Sequence, residues 1–115
     1  MRIRKKNTEI TDIKEDDIEL IARVSDALAH PVRLHLFRYI MQCNLKMEKV
    51  ATKNLVEKFD YAQSTISQHM KKLVKSGLVE GKKEEKFMYY YAHIGLLNQY
   101  VTATKKYATC DMSRG

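Results

Sequence analysis

Three features of the sequence predict a mainly α-helical domain that carries a small β-hairpin. Apolar residues recur at helical spacing in five successive segments, Pro31 and Gly77 stand where one helix would begin and another end, and a tyrosine run with strand character follows a lysine-bearing turn. The 115 residues suffice for one domain with its own core, since a chain of this length buries roughly two-thirds of its unfolded surface.

Ile18, Ile21, Val24 and Leu28, flanked by Leu20 and Ala27, share one side of a helix, and Glu15, Asp16 and Asp17 suit its amino end, where the helix dipole favours negative charge. The spacing predicts a first helix over 16–29. Pro31 gives up no hydrogen bond in a first turn, so a second helix is expected over 31–42, with the stripe Val32, Leu36, Phe37, Ile40 and Met41. After CNLKME breaks the pattern, Val50, Ala51, Leu55, Val56 and Phe59 predict a short third helix over 50–59. Asp60, which tolerates left-handed backbone, is expected to turn the chain. Ala62, Ile66, Met70 and Leu73 then mark a fourth helix over 63–76, ended by Gly77. LVEGKK and KFMYYYA predict two short strands around Glu84 and Glu85, and Ile94, Leu97, Val101 and Thr104 line one side of a last helix over 93–107.

Charge narrows the choice of partner. Twenty-one Lys and Arg against fourteen Asp and Glu leave a formal +7 and a pI near 9.4, which biases the chain toward polyanions. Residues 1–15 read as a flexible basic arm, with Arg2 and Arg4 able to reach a minor groove or to stay in a solvated tail; 16–107 is the folded domain and 108–115 a tail. The longest uncharged stretch, Phe87 to Thr104, contains His93, Asn98, Gln99 and four tyrosines, which excludes a membrane span. No apolar segment follows MRIRKK, so a cytoplasmic location is expected.

Helices over 50–59 and 63–76 joined by a three-residue turn, with a basic hairpin behind them, form the pattern of a winged helix-turn-helix, here of about five helices and a two-stranded wing. The second helix of such a pair must be amphipathic: its apolar stripe fixes it to the domain while short polar side chains enter the major groove of double-stranded DNA. Gln63, Ser64, Thr65, Ser67 and Gln68 are side chains of this kind. Gln pairs bidentately with adenine, so Gln63 and Gln68 are the candidate base readers, while Ser and Thr more often hold phosphates. Lys71, Lys72, Lys82, Lys83 and Lys86 are placed to neutralise flanking phosphates. His69 falls at the inner edge of the helix, where packing is favoured over a phosphate contact; His30 reads as a cap-like junction residue and His35 as exposed. Tyr89, Tyr90 and Tyr91 alternate across a strand and favour packing over base stacking.

A polar, lysine-bearing face on an isolated helix is usually only solvated, but the turn, Gly77 and the hairpin together tell against that reading. A winged-helix module that binds an acidic protein is the competing class, and it predicts no preference among DNA duplexes. Enzymatic chemistry is not expected: the sequence holds no Gly-rich phosphate loop, no paired-carboxylate motif, and no Cys or Ser set beside a His by a motif. No cofactor is expected either.

The segments ALAHPVRLHLF (27–37), FDYAQSTISQHMKKL (59–73) and VKSGLVEGKKEEKFMYYYA (74–92) resemble the ArsR/SmtB family of bacterial transcriptional regulators over about residues 16–107. The resemblance implies a homodimer that binds operator DNA as a repressor, pairs through its first and last helices, and releases DNA when an effector binds or a thiol changes. The dimer candidates are then Ile18, Ile21, Val24, Ile94, Leu97 and Val101. Two positions depart from the family pattern: Asp60 replaces its Gly, and Ala62 replaces the usual N-cap Ser. Metal-sensing members carry Cys-x-Cys in the helix before the recognition helix. KNLVEKFD has no cysteine, and His93 has no matching His ten or eleven residues on, so no metal site is expected. A redox- or persulfide-sensing subgroup pairs two cysteines, and Cys43 with Cys110 superficially resembles that pair. The alternative is one half-buried cysteine and one incidental tail thiol. The effector and the operator are left unknown by the sequence.

Overall fold

Residues 13–109, the part of the chain that the computed structural model describes, form five helices and three strands. In chain order these are α1 (Glu15–Leu28), α2 (Pro31–Leu45), β1 (Val50–Ala51), α3 (Thr52–Lys58), α4 (Gln63–Ser76), β2 (Val79–Glu84), β3 (Phe87–Ala92) and α5 (Ile94–Ala108). The sheet is antiparallel throughout, with strand order β1-β3-β2. The arm residues Arg2 and Arg4, and Cys110 in the tail, lie outside the described residues.

The first four helices meet the core through the stripes their sequence predicts, whereas α5 does so through Leu96 and Ala103 and leaves Ile94 and Val101 of its predicted stripe exposed. Val24 of α1, Leu36 and Ile40 of α2, Leu55 of α3 and Ile66, Met70 and Leu73 of α4 are all buried, and Leu78 and Val79 close the core from the start of the hairpin. Burying side chains of this size stabilises a fold by about 1.5–3 kcal/mol each before chain entropy is subtracted. His30 caps α2: its Nδ1 accepts the backbone N–H of Val32 at 3.1 Å, and Pro31 follows in the first turn. The carboxyl end of α4 is held twice. Gly77 turns the backbone left-handed at φ 92°, with a virtual Cβ only 3.1 Å from Leu96 of α5, and the Ser76 hydroxyl donates to the Leu73 carbonyl while accepting from the Leu78 N–H.

Three details differ from the sequence expectations. Residues 50 and 51 are not the start of a helix but a strand, in which Val50 pairs with Tyr90 and Ala51 with Tyr89, so the hairpin is extended to a three-stranded sheet. A two-residue strand is too short to show a period of two, and the Asn54 side chain, accepting from the Ala51 N–H at 2.7 Å, starts α3 two residues later than the apolar pattern does. The other two concern backbone sign and helix length. Asp60 does not take left-handed backbone; it is the middle of a tight turn in which the Tyr61 N–H donates to the Phe59 carbonyl at 2.8 Å. The left-handed non-glycine residues among those described are Met47, in the turn after α2, and Glu85, at the hairpin tip. Finally, α2 continues three residues beyond its expected end and carries Cys43 into the core.

Candidate nucleic-acid interface

α4 is fixed on its inner side and open on its outer side. Ile66, Met70 and Leu73 anchor it, while Gln63, Ser64, Gln68, Lys71 and Lys72 are exposed, and Thr65 and Ser67 are half-buried on the flanks. Ala62 stands at the N-cap without a side-chain hydrogen bond, so the amino end of α4 keeps free N–H groups facing outward, a favourable place for an anion. Five short or amide side chains and two lysines thus lie on one side of the helix, at its amino end and flank.

Two arginines hold α4 in place. Arg33, only 8% exposed, donates from Nε to the Ala27 carbonyl at 2.6 Å, from Nη2 to the Asp26 carbonyl at 3.3 Å, and from Nη1 to His69 Nδ1 at 3.0 Å. Its guanidinium therefore sits at the negative end of the α1 dipole and reaches across to α4. Arg23 of α1 donates to the Ser76 carbonyl at 3.0 Å and secures the other end of the same helix. Neither arginine was foreseen as part of the site. For Arg33 a signal existed, since it lies three and four residues before the buried Leu36 and Phe37, on the inward face of α2.

His69, half-buried on α4, is tied to this inner framework by its bond to Arg33. A guanidinium has no acceptor, so His69 Nδ1 must accept, which fixes a neutral ring with its proton on Nε2. Burial, then the charges of His30, Arg33 and Lys72, hold its pKa below the ordinary 6.5; the His30 ring is 4.6 Å away. The unfolded chain therefore takes up a proton that the folded chain refuses. Stability is full above pH 6.5 and declines as pH falls below that value toward the lowered folded pKa. Denaturant unfolding compared at about pH 7.5 and about pH 5.5 should show this decline, and His69→Gln should flatten it.

The wing is a hairpin with a two-residue tip, Glu85 and Lys86, closed by the left-handed Glu85. Lys82, Lys83 and Lys86 are exposed along it. Lys82 Nζ rests 5.6 Å from the centre of the Tyr91 ring, and Lys49 lies 5.1 Å from that of Tyr89. Glu84 is engaged by Lys49 at 2.7 Å and by the Tyr91 hydroxyl at 3.0 Å, bonds that hold its carboxyl below the usual carboxylate range. Glu84 is thus ion-paired, while Lys82, Lys83 and Lys86 form no ion pair among the described residues. Tyr90 points the other way, into the core, where its hydroxyl meets Thr52 at 3.2 Å.

α1 and α5 pack together through a Ser25–Tyr100 hydroxyl contact of 2.9 Å and a Lys106–Asp17 ion pair of 3.2 Å. Among the dimer candidates, Ile94 and Val101 are exposed and Ile18, Ile21 and Leu97 half-buried on these helices, whereas Val24 is 0% exposed. Val24 therefore belongs to the protomer's own core and can only support such a face from behind. Cys43, 7% exposed, packs within the core. Among the described residues no three His, Cys, Asp or Glu side chains converge as a metal set, and no helix is long and apolar enough to cross a membrane.

A framework of this kind, a buried helix pair with a polar outer helix and a lysine-bearing hairpin, defines a winged helix-turn-helix protein. A helix-turn-helix domain model matches residues 28–82. The nodulation protein NolR of Rhizobium meliloti is 32% identical over 77 residues, 67% of this chain; the match spans 59% of that relative's length. An ArsR-like transcriptional regulator from Rhodococcus sp. RHA1 superposes with a TM-score of 0.70 at 20% identity, over 80% of this chain and 82% of that one. The homodimeric winged helix-turn-helix DNA-binding domain of a possible ArsR-family regulator from Mycobacterium bovis gives a TM-score of 0.64 at 23% identity, over 83% and 84% of the two chains. The chain therefore carries a helix-turn-helix domain over residues 28–82 and shares the winged helix-turn-helix fold of ArsR-like regulators.

Proposed function

We propose that the protein is a sequence-specific transcriptional repressor that binds operator DNA as a homodimer. The observation that carries this reading is the outer face of α4, where exposed Gln63 and Gln68 stand among hydroxyls and lysines on a helix held rigid by Arg23 and Arg33. α4 enters the major groove; Gln63 and Gln68 read base edges, Ser64, Thr65 and Ser67 contact phosphates or bases, and Lys71 and Lys72 with wing residues Lys82, Lys83 and Lys86 neutralise the backbone. The exposed Ile94 and Val101 on α5, with Ile18, Ile21 and Leu97 beside them, supply the dimer face, in line with the homodimeric state of the Mycobacterium bovis relative. Two α4 helices in such a dimer meet successive major grooves roughly 34 Å apart.

Gel-shift titration against the DNA upstream of its own gene, repeated across salt, tests the reading. Operator affinity should exceed affinity for unrelated duplex by about a thousandfold or more. Equal binding to every duplex would overturn sequence specificity. Gln68→Ala should cost about 1–3 kcal/mol and relax preference at one base position, leaving non-specific affinity as it was.

A further inference from the structure

The side of α4 that faces the wing does not close against it. Ser67, Met70, Lys71, Val74 and Lys75, at spacings of three, four, seven and eight along the helix, look across at Gly81, Met88 and Tyr90 of the hairpin and enclose about 500 Å³. Glycine at 81 lets the hairpin face stay low under this gap: Gly81 pairs with Tyr90, and Met88 lies directly over the strand backbone, where a Cβ at 81 would come within 3.0 Å of Met88 Sδ and 3.7 Å of Tyr90 Cε1. Val74 and Met88, on opposite walls of the cavity, are exposed at 39% and 41%. The volume lies within the range of ligand sites, which are mostly apolar with a few placed polar groups. Here the polar groups are one hydroxyl, Ser67, and two ammonium groups, Lys71 and Lys75, neither of which has an ion-pair partner among the described residues. No acidic side chain lines the cavity.

We infer that this cavity binds an amphipathic carboxylate of the medium-chain fatty-acid class. The alkyl chain lies between Met70, Val74, Met88 and the Tyr90 ring, whose thioether walls adapt to a flexible chain, and the carboxylate sits between Lys71 and Lys75. The regulatory consequence rests on the DNA-binding reading above; the site itself does not. A ligand there covers Ser67, neutralises Lys71 and fixes the spacing between recognition helix and wing, so ligand and operator oppose each other, and by linkage each weakens the other by the same factor.

The test is a titration of the full chain, free of DNA, with decanoate, followed by the methyl resonances of its methionines. Met70 and Met88 should shift saturably and the exposed Met47 should not. Decylamine, of equal chain length and opposite charge, should leave Met70 and Met88 in place, and decanol should bind at least about tenfold more weakly than decanoate. Lys75→Glu and Gly81→Val should each weaken decanoate by about tenfold, the first by charge and the second by pushing Met88 off the strand and into the cavity; a melting curve checks the fold of each variant. Equal binding of decylamine, an absence of saturable shifts at Met70 and Met88, or wild-type affinity in both variants overturns the proposal. Operator affinity, measured separately, should fall about fivefold or more at saturating decanoate. DNA binding without methyl shifts removes the ligand site alone, and methyl shifts without DNA binding remove the repressor reading alone.

Discussion

Replacing Arg33 by alanine is expected to lower folding stability by about 3 kcal/mol or more, a drop in melting temperature of roughly 10 °C or more for a chain of this length. The variant leaves the Ala27 and Asp26 carbonyls at the end of α1 without their donor and removes the bond to His69. Loss of packing adds to loss of charge, because the side chain is buried. Arg33→Lys should recover only part of the loss: an ammonium cannot reach two carbonyls and an imidazole with the fixed fork of a guanidinium. Chemical denaturation of the three proteins at neutral pH measures the series. A lysine variant as stable as the parent would show that charge alone, and not the planar three-way bridge, holds α1, α2 and α4 together. Operator affinity should fall in the alanine variant even under conditions where it is fully folded, since α4 loses one of its two arginine tethers.

The second large effect belongs to the wing. Changing Lys82, Lys83 and Lys86 together to glutamine should weaken binding to all duplexes alike, by at least about tenfold, and reduce the slope of log affinity against log salt by about 3. None of the three is ion-paired among the described residues, and Lys82 rests on the Tyr91 face, so their removal costs the hairpin little stability. Melting temperature should stay within a few degrees of the parent. A loss confined to the operator, with non-specific binding intact, would mean that the wing reads bases and does not merely hold phosphates.

Much of this architecture was legible because the helices obey one rule. α4 was readable to the residue, since Ile66, Met70 and Leu73 repeat at helical spacing and Gly77 ends the run with the backbone only glycine adopts cheaply. The hairpin was readable because its β-prone run and lysine-bearing turn are local features. What the sequence hid was non-local. β1 exists only because Val50 and Ala51 find Tyr90 and Tyr89 some forty residues on, and nothing in two apolar residues distinguishes that from a helix start. Arg33 looked like one more member of a basic chain until Leu36 and Phe37 showed which way its side of α2 faces. The cavity between α4 and the wing was equally invisible, since it depends on Gly81 standing opposite Tyr90. Asp60 turns the chain as expected, though by another backbone: a residue able to adopt left-handed backbone need not do so when a tight turn with negative φ serves.

The order of the strands has one more effect. With β3 in the middle, the sheet ends in a two-residue margin at β1 and in a margin at β2 studded with Glu80, Lys82, Lys83 and Glu84. The first is too short, and the second too charged, to recruit a strand from another molecule. A basic protein with an exposed hairpin therefore keeps that hairpin from polymerising with its neighbours.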